Sequence, residues 1–169
     1  MPLAHSEFLA LPYEDPRHDL ITRLLDDIPE NACVITYTNF ETKRLRELGG
    51  WFPECRERIE DVLRRVRDIS QPFNRMVYYH WQMNGSYSIK TVLPHLDPEM
   101  SYEGLEIRNG EMAKDAYVRM NESQDSAETE RIRTALLEYC RLDTVAMVRI
   151  LDKFRPPDIA LIFHATFSS

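Results

Sequence analysis

Leu20, Ile21, Leu24, Leu25 and Ile28 recur at three- and four-residue intervals, which predicts a helix over 17–28 with one apolar stripe. Pro29-Glu30-Asn31 ends it, and the β-branched run Ala32-Cys33-Val34-Ile35-Thr36-Tyr37, bounded by turn residues, predicts a buried strand. Ile59, Val62, Leu63 and Val66 mark a second amphipathic helix from Glu54 to Val66. Asp68-Ile69 follows as a short strand or a turn. Ser88-Ile89-Lys90 opens a short helix stopped by Pro94 and Pro98, and Met112, Ala116 and Met120 give a helix over 111–121 its inner side. The longest periodic run, 126–154, is opened by the capping pattern Asp125-x-x-Glu128 and closed by Pro156-Pro157. Residues 3–10 read as a short strand. Residues 158–166 read as a final strand or as a docking tail.

A strand, a helix and a buried strand in succession predict an α/β domain whose sheet has crossover connections. The turn Tyr37-Thr38-Asn39-Phe40-Glu41 carries the chain from the buried strand into a helix reaching Leu48, which Gly49-Gly50 would close in a left-handed conformation. Ligands of open α/β sheets gather where strands end and helices begin. Glu41 therefore stands where a metal-binding carboxylate could stand. Thr38-x-x-Glu41 is equally a capping box, with Glu41 bonding back to the backbone of Thr38.

The chain has 169 residues, enough for one domain with its own core. Cys33, Cys55 and Cys140 form no C-x-x-C pair, no apolar run is long enough for a membrane span, and the first residues lack the pattern of a signal peptide. These features predict a reduced, cytoplasmic protein. A net charge of −7 argues against broad, non-specific nucleic-acid binding. Local basic clusters, Lys43, Arg44 and Arg46, then Arg56, Arg58, Arg64, Arg65 and Arg67, read first as solvated helix faces. Phe73, Tyr78, Tyr79, Trp81 and Tyr87 suit either a core edge, the simpler reading, or the stacking of single-stranded bases. No glycine-rich phosphate loop, zinc spacing or nucleophile elbow appears, and the five histidines are scattered, which leaves little support for a small-molecule enzyme.

Within the last long helix, Tyr139 and Asp143 lie four residues apart on one face. A phenol one turn from a carboxylate suits a metal ligand beside a residue that orients a water. Three stretches in order, Phe40-Glu41 at a strand-to-helix turn, Ser88-Ile89-Lys90 at a helix start and Tyr139-Cys140-Arg141-Leu142-Asp143, resemble the later motifs of the ribonuclease H-like exonucleases of the DEDDy type. Those enzymes remove nucleotides from 3′ ends with two divalent metals. From about His5 to Phe154 the chain also looks like an uncharacterised bacterial domain family expected to share that fold. Asp15-Pro16-Arg17, Gly85-Ser86-Tyr87-Ser88-Ile89-Lys90, Tyr102-Glu103-Gly104-Leu105-Glu106-Ile107 and Asn109-Gly110 carry that likeness.

The resemblance implies a ribonuclease H-like mixed sheet flanked by helices. It makes Asp143 a metal ligand, gives Glu41 the place of the second-motif carboxylate, and has Tyr139 orient or help deprotonate the attacking water. Lys90 and Tyr37 are implied substrate contacts, and Mg²⁺ or Mn²⁺ the metal, since both prefer hard oxygen donors. Two features depart from the pattern. The opening Asp-x-Glu is missing; Asp97-Pro98-Glu99, with its central proline in a turn, does not replace it. Tyr37 stands where the exonucleases often carry Asn. The expectation is a domain without its first hairpin that binds metal weakly, cleaves little or not at all alone, and associates with copies of itself through exposed sheet edges or the C-terminal strand. The competing expectation is a non-catalytic domain on the same scaffold, binding nucleic acid or a protein.

Overall fold

The computed structural model describes residues 4–10, 15–154 and 164–165. It is mixed α/β and rich in helix. The elements are β1 (Ala4–His5), α1 (Arg17–Asp27), β2 (Val34–Thr36), α2 (Phe40–Trp51), a 3-10 turn (Pro53–Cys55), α3 (Arg56–Arg65), β3 (Val66–Asp68), α4 (Gln71–Asn74), a second 3-10 turn (Trp81–Met83), α5 (Ile89–Leu96), α6 (Gly110–Glu122), α7 (Ser126–Phe154) and β4 (His164–Ala165).

Among the described residues the strands form two parallel pairs. β2 lies beside β3, with Val34 opposite Val66 and Thr36 opposite Asp68. β1 lies beside β4, so the described part of the expected C-terminal strand pairs within the chain; residues 158–163 and 166 fall outside the described residues. Of the expected strand over 3–10, only Ala4–His5 is extended into a ladder, whereas Leu9 and Ala10 are buried without being paired in one.

Apolar residues segregate into two clusters. Ile21 and Leu25 of α1, Leu45 and Leu48 of α2, and Ile59 and Val62 of α3 make the smaller one. The larger gathers Val92 and Leu93 of α5, Met120 of α6, and Ile132, Leu136, Tyr139, Ala146 and Ile150 of α7 around Phe73, Met83, Tyr102 and Ile107. The periodic positions of α1, α3 and α7 read from the pattern are thus the packed ones.

Local signals were overridden where packing competed with them. Gly49-Gly50 does not end α2, which runs on to Trp51. A Cβ on Gly49 would meet the Ile59 side chain at 3.4 Å, an ordinary packing distance, so the approach of α3 does not by itself demand glycine here. Val66, read as the end of a helix, opens β3 instead. Pro94 lies inside α5, which ends at Leu96. At the start of α7, Asp125 accepts from Ala127 N at 2.9 Å, but Glu128 turns away to Arg119 and Ser123, so the expected capping box is half formed. No described helix is long and apolar enough to cross a membrane.

Candidate functional site

The parallel register of β2 and β3 brings their C-terminal ends level, and Asp68 ties them together. Its Oδ1 accepts from the backbone N–H of Thr38 at 2.9 Å and of Ser70 at 2.8 Å, while Gln71 donates to Oδ2 at 2.8 Å. Burial alone would lift the Asp68 carboxyl; the hydrogen bonds from Ser70, Gln71 and Thr38 outweigh it and hold the group below the usual carboxylate range. Thr38 is held at φ 67°, a left-handed conformation that a β-branched residue rarely adopts. Backbone strain of this kind collects at functional turns.

This turn decides the environment of Glu41. Asn39, not Thr38, precedes α2, and it makes no side-chain cap. The capping box expected at Thr38-x-x-Glu41 is therefore absent, because Thr38 N–H is already bonded to Asp68. Glu41 Oε2 is buried with no hydrogen-bond partner. Burial, then the charges of Asp68 and Asp143, raise the Glu41 carboxyl, opposed only by a bond from its own backbone N–H.

α7 supplies the opposite wall. Tyr139 and Asp143 share one of its faces, and Tyr102, from the loop before α6, donates to Asp143 Oδ1 at 2.7 Å. Lys90, in the first turn of α5, donates to the Arg108 carbonyl at 2.7 Å and to the Tyr139 hydroxyl at 3.1 Å. Its ammonium sits 4.8 Å from the Tyr139 ring centre and 5.1 Å from that of Tyr102. Burial lowers the Lys90 ammonium and the Asp143 charge partly restores it. Burial and then the Asp143 charge push the phenols of Tyr139 and Tyr102 well above their ordinary range. Tyr139 thus keeps its proton, and its hydroxyl accepts from Lys90. Tyr37 is buried and donates to the Tyr87 carbonyl at 2.6 Å. Burial, then the charge of Asp68, keeps its hydroxyl protonated.

Tyr37 and Glu41 meet the charges of Asp68, Lys90 meets Tyr139, and Glu41 meets the charge of Asp143, so the five residues singled out from the sequence fall in one region. Asp68 and Tyr102 were missed. Asp68 had a local signal, the Asp-x-Ser spacing of an Asx turn. Tyr102 opens one of the phrases that carry the bacterial-family likeness, but nothing local pointed to its partner, which lies far along the chain.

The carboxylates near this region are few. Asp68 is committed to three donors, and no group of three His, Cys, Asp or Glu arranged for a metal occurs among the described residues. Glu41 and Asp143 remain. Mg²⁺ is commonly held by one or two carboxylates, with waters and substrate phosphates completing its shell.

A family model described as a domain of unknown function, DUF2779, matches residues 1–88. That span includes Tyr37, Glu41, Asp68 and Tyr87. No curated protein and no solved structure matches the chain.

Proposed function

We propose that this chain, which belongs to the DUF2779 family, is a ribonuclease H-like domain of DEDDy exonuclease type that holds a single-stranded 3′ end and, alone, hydrolyses it little or not at all. The observation that carries the reading is the buried, unpartnered Oε2 of Glu41 facing the charge of Asp143. A carboxylate oxygen buried without a donor is costly, and a divalent cation shared by Glu41 and Asp143 would relieve it.

Such an ion, when bound, supplies positive charge to a phosphoryl oxygen. The chain's own residues do the rest. Tyr102 fixes the Asp143 carboxylate by its hydrogen bond. Tyr139 offers a protonated hydroxyl that can hold a water, and Lys90 offers an ammonium to a phosphate. With Asp68 committed to Thr38, Ser70 and Gln71, the acids left here suffice for one ion, which supports low activity in a reaction that elsewhere uses two.

Digestion of 5′-labelled single-stranded DNA and RNA in Mn²⁺ tests this, with Asp143→Ala alongside. We expect neither protein to shorten either substrate. A ladder receding from the 3′ end and absent in the variant would overturn the low-activity reading.

Each sheet has two strands among the described residues, and two-stranded sheets are marginal alone while their edges invite pairing. We therefore expect light scattering to report a dimer or larger species at high concentration. A monomer throughout would contradict this.

A further inference from the structure

Although 28 of the 169 residues are Asp or Glu, residues 69–96 contain none. The same stretch holds Arg75, Lys90, His80, His95 and the whole aromatic run from Phe73 to Tyr87. The rings divide sharply. Phe73 is core and Tyr78 packs edge-on against it at 5.6 Å, but Trp81 is 72% exposed and Tyr79 51% exposed, with Tyr87 also at the surface. A core edge thus accounts for Phe73 and Tyr78 and leaves three rings in water.

Trp81 is not on a loose loop. It opens the 3-10 turn Trp81–Met83, which is anchored by the fully buried Met83 and closed by Asn84 in a left-handed conformation. The Trp81 ring leans on His80 at 5.9 Å and 32°, and His80 stacks on His95 of α5 at 4.5 Å and 25°. This ladder of rings ends at Trp81. α5 also carries Lys90, and the Tyr87 carbonyl accepts the Tyr37 phenol, so the ring surface is continuous with the candidate site.

We infer that the exposed rings of this acid-free stretch bind single-stranded nucleic acid by stacking bases on Trp81, flanked by Tyr79 and Tyr87, with the backbone directed toward Lys90. The inference rests on reading the neighbouring site as one for nucleic acid, and it locates the strand leading to it. Rings accept every base by its π-face, so binding is tolerant of sequence, and the lack of carboxylates removes repulsion of phosphates in a chain that is acidic overall.

The test is a fluorescence titration of the full chain in EDTA, which makes it independent of any metal. Trp51→Phe leaves Trp81 as the sole tryptophan of the two. The probes are an oligothymidylate and an abasic strand of equal length. We expect quenching by the first and far less by the second. Read by the anisotropy of an end-labelled oligothymidylate, because no Trp81 remains to report, Trp81→Ala should weaken binding roughly tenfold to a hundredfold, the span of one stacked base. Trp81→Phe should restore most of it. Equal binding by parent and Trp81→Ala, equal affinity for both probes, or no binding would each overturn the inference. Base-dependent binding in EDTA without any Mn²⁺ effect would uphold this surface while sinking the metal site.

Discussion

Asp68→Ala should cost about 3 kcal/mol of stability, a fall in Tm of roughly 6–12 °C for a domain of this size. The carboxylate accepts two backbone N–H groups and one side-chain amide, and a hydrogen bond to a charged acceptor contributes about 1.5–3 kcal/mol. The loss is concentrated at one place, the joint between the ends of β2 and β3, where Thr38 is held at φ 67°. The effect has a pH signature. Asp68 is held below its ordinary value of 3.8, so its contribution is full above that pH and disappears as pH falls through the lower folded value. Thermal melts of both proteins across pH should therefore differ most at neutrality and converge in acid. A variant as stable as the parent at pH 7 would remove Asp68 from this role.

Glu41→Gln should do the reverse. The Glu41 carboxyl is raised above 4.5, so the folded protein binds this proton more tightly than the unfolded chain does. Its charge weakens the fold as pH rises from 4.5 through the folded value. Removing it should raise stability at pH 7 by on the order of 1 kcal/mol, or roughly 2–4 °C, and the gain should vanish below about pH 4.5. The helix dipole opposes this, because an acid in the first turn of α2 is favourable there, but with Oε2 buried and unpartnered the cost of desolvation outweighs the dipole. A loss of stability at neutral pH would show that Glu41 acts as an ordinary helix-start acid.

The two carboxylates also show what sequence could and could not reveal. The stripes of α1 and α7 were legible because a single face of each is packed, and periodicity reports that directly. Tyr139 and Asp143 were legible for the same reason: four residues on one helix are four residues on one face. The pairing of Val34–Thr36 with Val66–Asp68 was not, since nothing in a three-residue strand states its partner. From that pairing came the failure at Glu41. The capping box Thr38-x-x-Glu41 is a local pattern, and a non-local acceptor, Asp68, takes the Thr38 N–H instead. Gly49 misled as well: a residue suited to ending a helix lies inside α2, which runs on to Trp51. The resemblance pointed to Glu41, Lys90 and Asp143, but Tyr102, which fixes Asp143, needed three-dimensional structure.

Whether Glu41 and Asp143 share a divalent ion with a phosphodiester can be read from melts of the protein in EDTA and in millimolar Mn²⁺, with oligothymidylate present. Parent, Glu41→Gln and Asp143→Asn are compared at pH 7. A ligand that binds only the folded state raises Tm by mass action. We expect a Mn²⁺-dependent rise for the parent that is lost in both variants, even though Glu41→Gln starts from the higher Tm. No rise for the parent, or an equal rise in all three proteins, would contradict a shared ion.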